Sequence, residues 1–285
     1  MKIWFQSFTD PIVDRAYFER LEAFVREVAS PECKIDVRGM CPGDHQFHVV
    51  SELRCSLASL RAALQAEREG YDAFIVGHFQ EPGLDVMRSA VDIPVIGLGE
   101  SSMLHACTLG KTVGLVTINP IFVPFHRQQI LAAGLQGRIT AVRAVRAEVH
   151  DYVRAFQDPA LRARMFEAFV REAQLLVDDG IEVVVPAGGL PMVLFAKELA
   201  ESGIGSGNPG STGGSAVTSL RSGAALMKGA TLMNGLPVAI EAAQSAVRLR
   251  RRFGINTSRA GTYALANKQT LDELMACLAS EPGVI

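Results

Sequence analysis

Two apolar runs far apart in this chain share one design. Tyr71-Asp72-Ala73-Phe74-Ile75-Val76-Gly77-His78-Phe79 and Ile181-Glu182-Val183-Val184-Val185-Pro186-Ala187-Gly188-Gly189 each carry an acidic residue near the start. Each ends in a glycine-containing turn ahead of a helical pattern. Each is followed by a second short strand, at 93–97 and 236–240, that runs into another helix. Two copies of one order predict two similar α/β halves facing one another. Ligands of open parallel sheets bind beyond the carboxyl ends of strands, so the turns at His78 and Gly188 are expected to face one cleft.

Strands are expected at 2–8, 34–38, 73–76, 94–98, 113–117, 140–145, 182–185 and 237–240. Helical patterns lie between them at 13–28, 49–69, 84–90, 101–109, 125–133, 159–179 and 190–201. This alternation predicts parallel sheets covered by helices. Eight strands also fit a (β/α)8 barrel, but the paired runs favour two doubly wound units. The first half is expected to hold residues 1–97 and the second 98–240. The helix after each fourth strand should cross to the other half, so 241–285 rejoins the first.

Bulk properties narrow the partners. The chain has 285 residues, 48% of them hydrophobic, and a formal charge of −2. That length holds one large or two smaller domains with a substantial core. The charge balance favours neither nucleic acid nor an anionic membrane surface. The apolar region 223–247 is interrupted by Lys228, Asn234 and Glu241, so no bilayer span is expected. One lysine and a short apolar run precede Asp10, Pro11 and Asp14, which is not a signal-peptide pattern. The five cysteines, Cys33, Cys41, Cys55, Cys107 and Cys277, are odd in number and scattered. Such spacing fits reduced thiols in a cytoplasm.

The segment 203–215 is rich in glycine and contains a literal GxGxxG at Gly205, Gly207 and Gly210. That fingerprint needs a strand before it and a helix after it, whereas a helical pattern precedes it here. A surface loop or a lid over the cleft is expected instead of a dinucleotide site.

From Gly77 onward the residues become specific. Gly77-His78-Phe79-Gln80-Glu81-Pro82-Gly83-Leu84-Asp85, Val91-Asp92-Ile93-Pro94-Val95-Ile96-Gly97 and Gly99-Glu100-Ser101 resemble the aspartate/glutamate/hydantoin racemase superfamily, nearest its hydantoin racemase branch. The similarity continues through Leu109-Gly110 and Val113-Gly114-Leu115-Val116-Thr117, and more weakly at 182–189 and 236–247. The resemblance implies two pseudo-symmetric doubly wound halves with an active site between them, and a homo-oligomer. It also implies proton transfer by two cysteines, one per half, with no metal or organic cofactor. Inversion requires proton removal and delivery on opposite faces of the acidic carbon. In this chain the two cysteine positions are His78 and Gly188, so the two-thiol mechanism does not carry over. A one-sided reaction (decarboxylation, lyase chemistry, isomerisation or cyclic-amide hydrolysis) therefore stands beside racemisation.

His78 is the expected catalytic residue, because an imidazole titrating near neutrality serves as general base or acid. The Ala187-Gly188-Gly189 turn offers backbone N–H groups to a carboxylate or enolate oxygen, or is simply a tight turn that needs positive φ. Ser7 and Thr9 end the first strand, where the resemblance places small polar ligand-binding residues; helix capping by Thr9 or Asp10 ahead of Pro11 is the alternative. Thr117 and Asn119 take the matching place in the second half, although Asn119 before Pro120 also reads as turn chemistry. Glu241 is the expected second ionisable group, or else an acidic first-turn residue of its helix. Ser101 and Ser102 read as helix caps. His126 and Arg127 are expected near the cleft mouth, where surface solvation is the favoured reading and pairing of Arg127 with an anion the alternative.

Cys41, Asp44, His45 and His48 are competent metal ligands, but their spacing matches no zinc pattern, and no metal is expected. Arg248, Arg250, Arg251 and Arg252 lie late in a helix, where cations favour the dipole. The whole reads as an α/β, cofactor-independent, cytoplasmic enzyme moving a proton on a small carboxylate, hydantoin or cyclic amide. A non-racemising relative and a non-catalytic small-molecule binding protein are the alternatives.

Overall fold

The computed structural model describes residues 1–44, 48–204 and 229–279. His45 and the GxGxxG segment expected to form a loop or lid lie outside the described residues.

The first sheet contains β1 (Lys2–Gln6), β2 (Lys34–Arg38), β3 (Ala73–Val76) and β4 (Val95–Gly97), all parallel, in the order β2-β1-β3-β4. The second contains β5 (Val113–Thr117), β6 (Ile139–Ala144), β7 (Val183–Ala187) and β8 (Thr231–Leu232), also parallel, in the equivalent order β6-β5-β7-β8. Two separate four-stranded sheets rule out the closed barrel. In each sheet the order reverses between the first and third strands. Register pairs Gln6 with Val76 there, and Thr117 with Ala187. The residues just beyond these pairs, Ser7 with Gly77 and Ile118 with Gly188, stand at the two topological switch points.

All four residues of β3 and all five of β7 are buried, which is why both runs read as continuous apolar stretches. In the first sheet, Ile3, Phe5 and Ile75 join a core shared with the second half, while Trp4, Phe74 and Val76 face a second cluster with Leu60. This is strand alternation acting on two covered faces. Helix α1 (Arg15–Val28) buries Tyr17, Phe18, Leu21 and Val25, an amphipathic stripe at helical spacing. Helix α2 (Val49–Arg68) lies on the other face, and α3 (Leu84–Ala90) joins β3 to β4.

Helix α4 (Leu98–Leu109) follows β4 but packs on β7. In the second half come α5 (Val123–Ala132), α6 (Val149–Ala155), α7 (Pro159–Asp178), α8 (Gly189–Leu194) and α9 (Ala196–Ile204). Helix α10 (Gly235–Phe253) then packs on α4, β3 and β4, and α11 (Lys268–Ala279) lies near the end of the chain.

Two sequence expectations change. The expected strand at 237–240 is helical. Asn234 caps α10 by accepting from Leu236 N at 3.0 Å while donating to Met192 O at 2.9 Å. Pro237 then falls in the first turn, where its missing N–H costs nothing. The last strand of the second sheet is the two-residue β8. The single helix expected at 190–201 is two, α8 and α9, meeting at Phe195. Among the described residues no helix is long and apolar enough to cross a membrane.

Candidate functional site

The carboxyl ends of β1 and β3 build one wall of a cleft. Gly77 N donates to Gln6 O at 2.8 Å, fixing the start of the His78 turn against the end of β1. The loop after β2 folds over the same end, with Met40 N bonded to Thr9 O at 3.0 Å and Asp44 N to Phe8 O at 2.7 Å. Ser7, Thr9, Tyr17, Asp44, His78 and Gln80 therefore line a single small cavity of about 60 Å³. Ile118, Phe122, Val149, Gly188, Gly189 and Leu190 close it from the second half.

The two turns almost touch. A Cβ on Gly189 would lie 3.0 Å from Gly77 O, so only glycine lets the halves approach this closely without displacement. Gly188 has φ 172°, which is extended backbone and does not need glycine. Its N–H is bonded to Pro186 O at 3.1 Å. The N–H groups that α8 itself leaves unused are thus those of Gly189 and Leu190, because first-turn donors have no intrahelical partner.

His78 packs edge-on against Phe8, with ring centroids 5.0 Å apart. Its Nδ1 accepts from Gln80 N at 3.3 Å. A neutral ring that accepts at Nδ1 carries its proton on Nε2. Burial pushes the imidazole down to about 4, against the opposing pull of the Asp44 carboxylate. His78 is therefore uncharged at neutral pH.

Ser7, Thr9 and Tyr17 form a hydroxyl cluster beside it. Ser7 Oγ and Thr9 Oγ1 are 2.9 Å apart, and Ser7 also bonds the Tyr17 phenol. Burial pushes that phenol up to about 12, so it stays protonated. Capping of the following turn falls to Asp10, whose Oδ1 accepts from Ile12 N at 2.8 Å and Val13 N at 3.2 Å. Thr9 is left to the hydroxyl cluster.

Behind the cleft a buried polar network joins the halves. Gln129 Nε2 donates to Phe79 O at 2.6 Å and Glu81 Oε2 at 2.7 Å, and Glu100 N donates to Glu81 Oε1 at 2.7 Å. Gln129 Oε1 lies 3.4 Å from His126 Nδ1. The Gln129 oxygen can only accept, so His126 carries its proton on Nδ1. Its Nε2 then accepts from the Thr117 hydroxyl at 2.9 Å and from Gln80 Nε2 at 3.4 Å. His126 is fully buried, not at a cleft mouth. Burial pushes it down to about 4 and lifts Glu81 to about 8, with the two N–H donors on Glu81 holding it back. Arg127 is exposed.

The remaining expected residues are used elsewhere. Thr117 and Ala187 lie at the strand ends just behind the cleft, with Thr117 Oγ1 3.3 Å from Ala187 O. Asn119 does turn chemistry: its side chain accepts from Ile121 N at 3.1 Å and donates to Ala147 O at 3.0 Å, outside the cleft lining. Glu241 is exposed on α10, accepts from Gln244 Nε2 at 3.1 Å, and is also outside the lining. Ser101 and Ser102 are not caps: α4 begins at Leu98, and both hydroxyls donate back to carbonyls of the helix start.

In the loop after β2, His48 caps α2 through Nδ1, and Cys41 is exposed. Among the described residues no group of three His, Cys, Asp or Glu could hold a metal ion. None of the five cysteines lines the cleft. Sequence reasoning missed Tyr17 and Asp44 as cleft residues. Asp44 had a usable signal, since it follows a strand whose carboxyl end points the same way as that of β1.

Two matching α/β halves with facing switch points define a class of two-domain cleft proteins. The chain belongs to the Asp/Glu/Hydantoin racemase family, whose pattern it matches over residues 16–205. It is similar to the hydantoin racemase of Pseudomonas sp. (strain NS671), with 29% identity over 135 residues, covering 47% of this chain and 52% of that protein. The hydantoin racemase of Paenarthrobacter aurescens is 26% identical over 156 residues, 54% of this chain and 59% of that one. The chain thus spans about half the length of these curated relatives. Among solved structures, the allantoin racemase from Klebsiella pneumoniae superposes with a TM-score of 0.73 at 21% identity, covering 94% of both chains. That of Pseudomonas fluorescens gives 0.65 at 23%, over 94% of this chain and 97% of the other. At these identities what is shared is the fold.

Proposed function

We propose that this protein is a racemase-type enzyme that moves a proton at a carbon beside a carbonyl in a small hydantoin, related cyclic amide or carboxylate. The observation that carries the reading is the convergence of His78, Ser7, Thr9, Gly188 and Gly189 on one cleft at facing switch points. Neutral His78 exchanges protons or hydrogen bonds through Nε2, while the Ser7, Thr9 and Tyr17 hydroxyls and the Gly189 and Leu190 N–H groups position substrate oxygens. Thr117 and Ala187 support this wall from behind; Asn119 and Glu241 have no cleft contact to support a binding role. The hydantoin racemases among its relatives support the ring substrate.

A second reading is proton exchange on one face without inversion. The second-half wall favours it, since its side chains Ile118, Phe122, Val149 and Leu190 are apolar. We take residues 1–97 with 241–285 as one half and 98–240 as the other, supported by the packing of α10 on β3 and β4. The enzyme works without a cofactor, as a homo-oligomer in the cytoplasm. Exposed apolar side chains at Val49, Val50 and Leu53 on α2 support association, and free cysteines support a reducing compartment.

The test is proton NMR in deuterium oxide on a panel of 5-monosubstituted hydantoins, amino acids and small dicarboxylates, with optical rotation followed in parallel. Loss of a carbon-bound proton signal with loss of rotation supports racemisation. Exchange with rotation retained supports the one-face reading, and neither change across the panel contradicts both.

A further inference from the structure

We infer that the open edge of β2 pairs with β2 of a second copy of this chain, antiparallel about a two-fold axis at Ile35, so that the first-half sheets of the two copies join edge to edge. The inference rests on the homo-oligomer reading above and names its interface. β2 is the outer strand of the first sheet and pairs with β1 on one side. Lys34 N donates to Met1 O at 2.9 Å, and Arg38 O accepts from Ser7 N at 2.7 Å, so Lys34, Asp36 and Arg38 turn their backbone groups to β1. Alternate residues of a parallel strand bond to its neighbour. The N–H and C=O groups of Ile35 and Val37 therefore point out from the edge. A row of such groups is a template for another strand.

The side chains on both faces suit a second copy. On the α1 side Cys33, Ile35 and Val37 are half-buried against the core. With Glu22 and Arg26 of α1 they line a groove of about 670 Å³ beside the strand. On the other face Asp36 accepts from the Tyr71 hydroxyl at 2.7 Å, and Arg38 lies over the Trp4 ring. Centring the axis on Ile35 sets Lys34 opposite the partner's Asp36 and Glu32 opposite the partner's Arg38, and the symmetry repeats each match. It also sets Ile35 against its own copy and Cys33 against the partner's Val37 on the groove side. Centring on Asp36 would oppose Lys34 to Arg38 and Asp36 to itself, and like charges directly opposite are destabilising. Centring on Val37 keeps Asp36 opposite Arg38 but carries Lys34 past the end of the partner's β2.

Lysine on an open edge ordinarily repels strand addition. Here its charge is answered by Asp36 in a register that also brings the outward backbone groups together. Ile35 exchanges both of its backbone bonds with the partner's Ile35, and Val37 N–H meets the partner's Cys33 O. The reciprocal Cys33 N–H is already bonded to Ser30 O at 2.8 Å, which ends the ladder there.

Sedimentation equilibrium on the full chain measures the association. Lys34→Glu and Asp36→Lys each turn the repeated attractive pair into a repulsive one and should weaken self-association about 10-fold. Mixed in equal amounts, the two variants regain opposite charges at both positions. Their association should then return to within about 3-fold of wild type, which a misfolded variant would not do. Hydrogen exchange on the unmodified protein gives a second measure, independent of any substitution. The Ile35 and Val37 amides should be protected in the associated protein and exchange freely once dilution separates the copies. Association indifferent to both variants, weakening without recovery on mixing, or free exchange at these amides in the associated protein overturns the β2 pairing and leaves the homo-oligomer reading standing. A wild-type chain that stays monomeric overturns both.

Discussion

Gln129 of the second half donates its side-chain amide to Glu81 of the first at 2.7 Å, three residues beyond His78. The same nitrogen donates to Phe79 O, and its oxygen receives His126. One half-buried amide thus ties the His78 turn to the facing half.

Replacing Gln129 by alanine should destabilise the fold by about 1–3 kcal/mol, because buried groups on Glu81 and His126 lose their partners. Urea unfolding of the two proteins measures this. A difference below about 0.5 kcal/mol would show that water or rotation replaces the amide.

Three buried groups make stability depend on pH, His78 and His126 in one sense and Glu81 in the other. His126 sits at about 4 in the fold against the usual 6.5, so the unfolded chain binds more protons in that window and stability falls as pH drops from 6.5 towards 4. That loss is worth about 3 kcal/mol for a fully buried group. Glu81 sits at about 8 against the usual 4.5, so the folded chain binds more protons and stability falls as pH rises from 4.5 to 8. Below 6.5 the two senses oppose one another, so urea midpoints from pH 4 to 9 should show Glu81 alone as a fall between 6.5 and 8. Glu81→Gln should flatten the slope between pH 6.5 and 8, where the histidines no longer contribute, whatever constant offset its new amide adds; an unchanged slope there would remove Glu81 as the cause.

Tyr17→Phe deletes only the phenol oxygen that meets Ser7. KM should rise about 10-fold, the worth of one hydrogen bond to substrate, with the fold intact. An unchanged KM would mean that the phenol serves packing alone.

Gly188 can accept a side chain, since its φ is extended and an added Cβ would meet Ile118 and Pro191 side chains at 3.1 Å. Gly188→Cys should fold at a cost of about 1–2 kcal/mol. It places a thiol on the wall opposite His78 and should raise the ratio of inversion to exchange. Polarimetry and NMR on the same sample give that ratio, and a fall in it would contradict the placement.

Much of the fold was legible because β3 and β7 are buried on both faces and flanked by turn residues. The strand expected at 237–240 failed because a short apolar run in a buried helix looks like a strand until its cap, Asn234, is seen bonded to Met192. His78 and Gly188 were expected to face one cleft from the two paired apolar runs and their turns, and both line one cavity. Tyr17 was hidden in the apolar stripe of α1, where an aromatic reads as core. Asp44 was hidden because its place depends on a loop folding over a neighbouring strand. Asn119 and Glu241 came from positional similarity, and in this chain local partners take them up.

On the proposed function, the cleft moves a carbon-bound proton through His78 and its neighbours. The direct measurement is C5 hydrogen–deuterium exchange of one enantiomer of a 5-monosubstituted hydantoin, wild type against His78→Ala. Exchange in the wild type, reduced by about 100-fold or more in the variant, is the expected result. No exchange in the wild type, or equal rates in both, would contradict it.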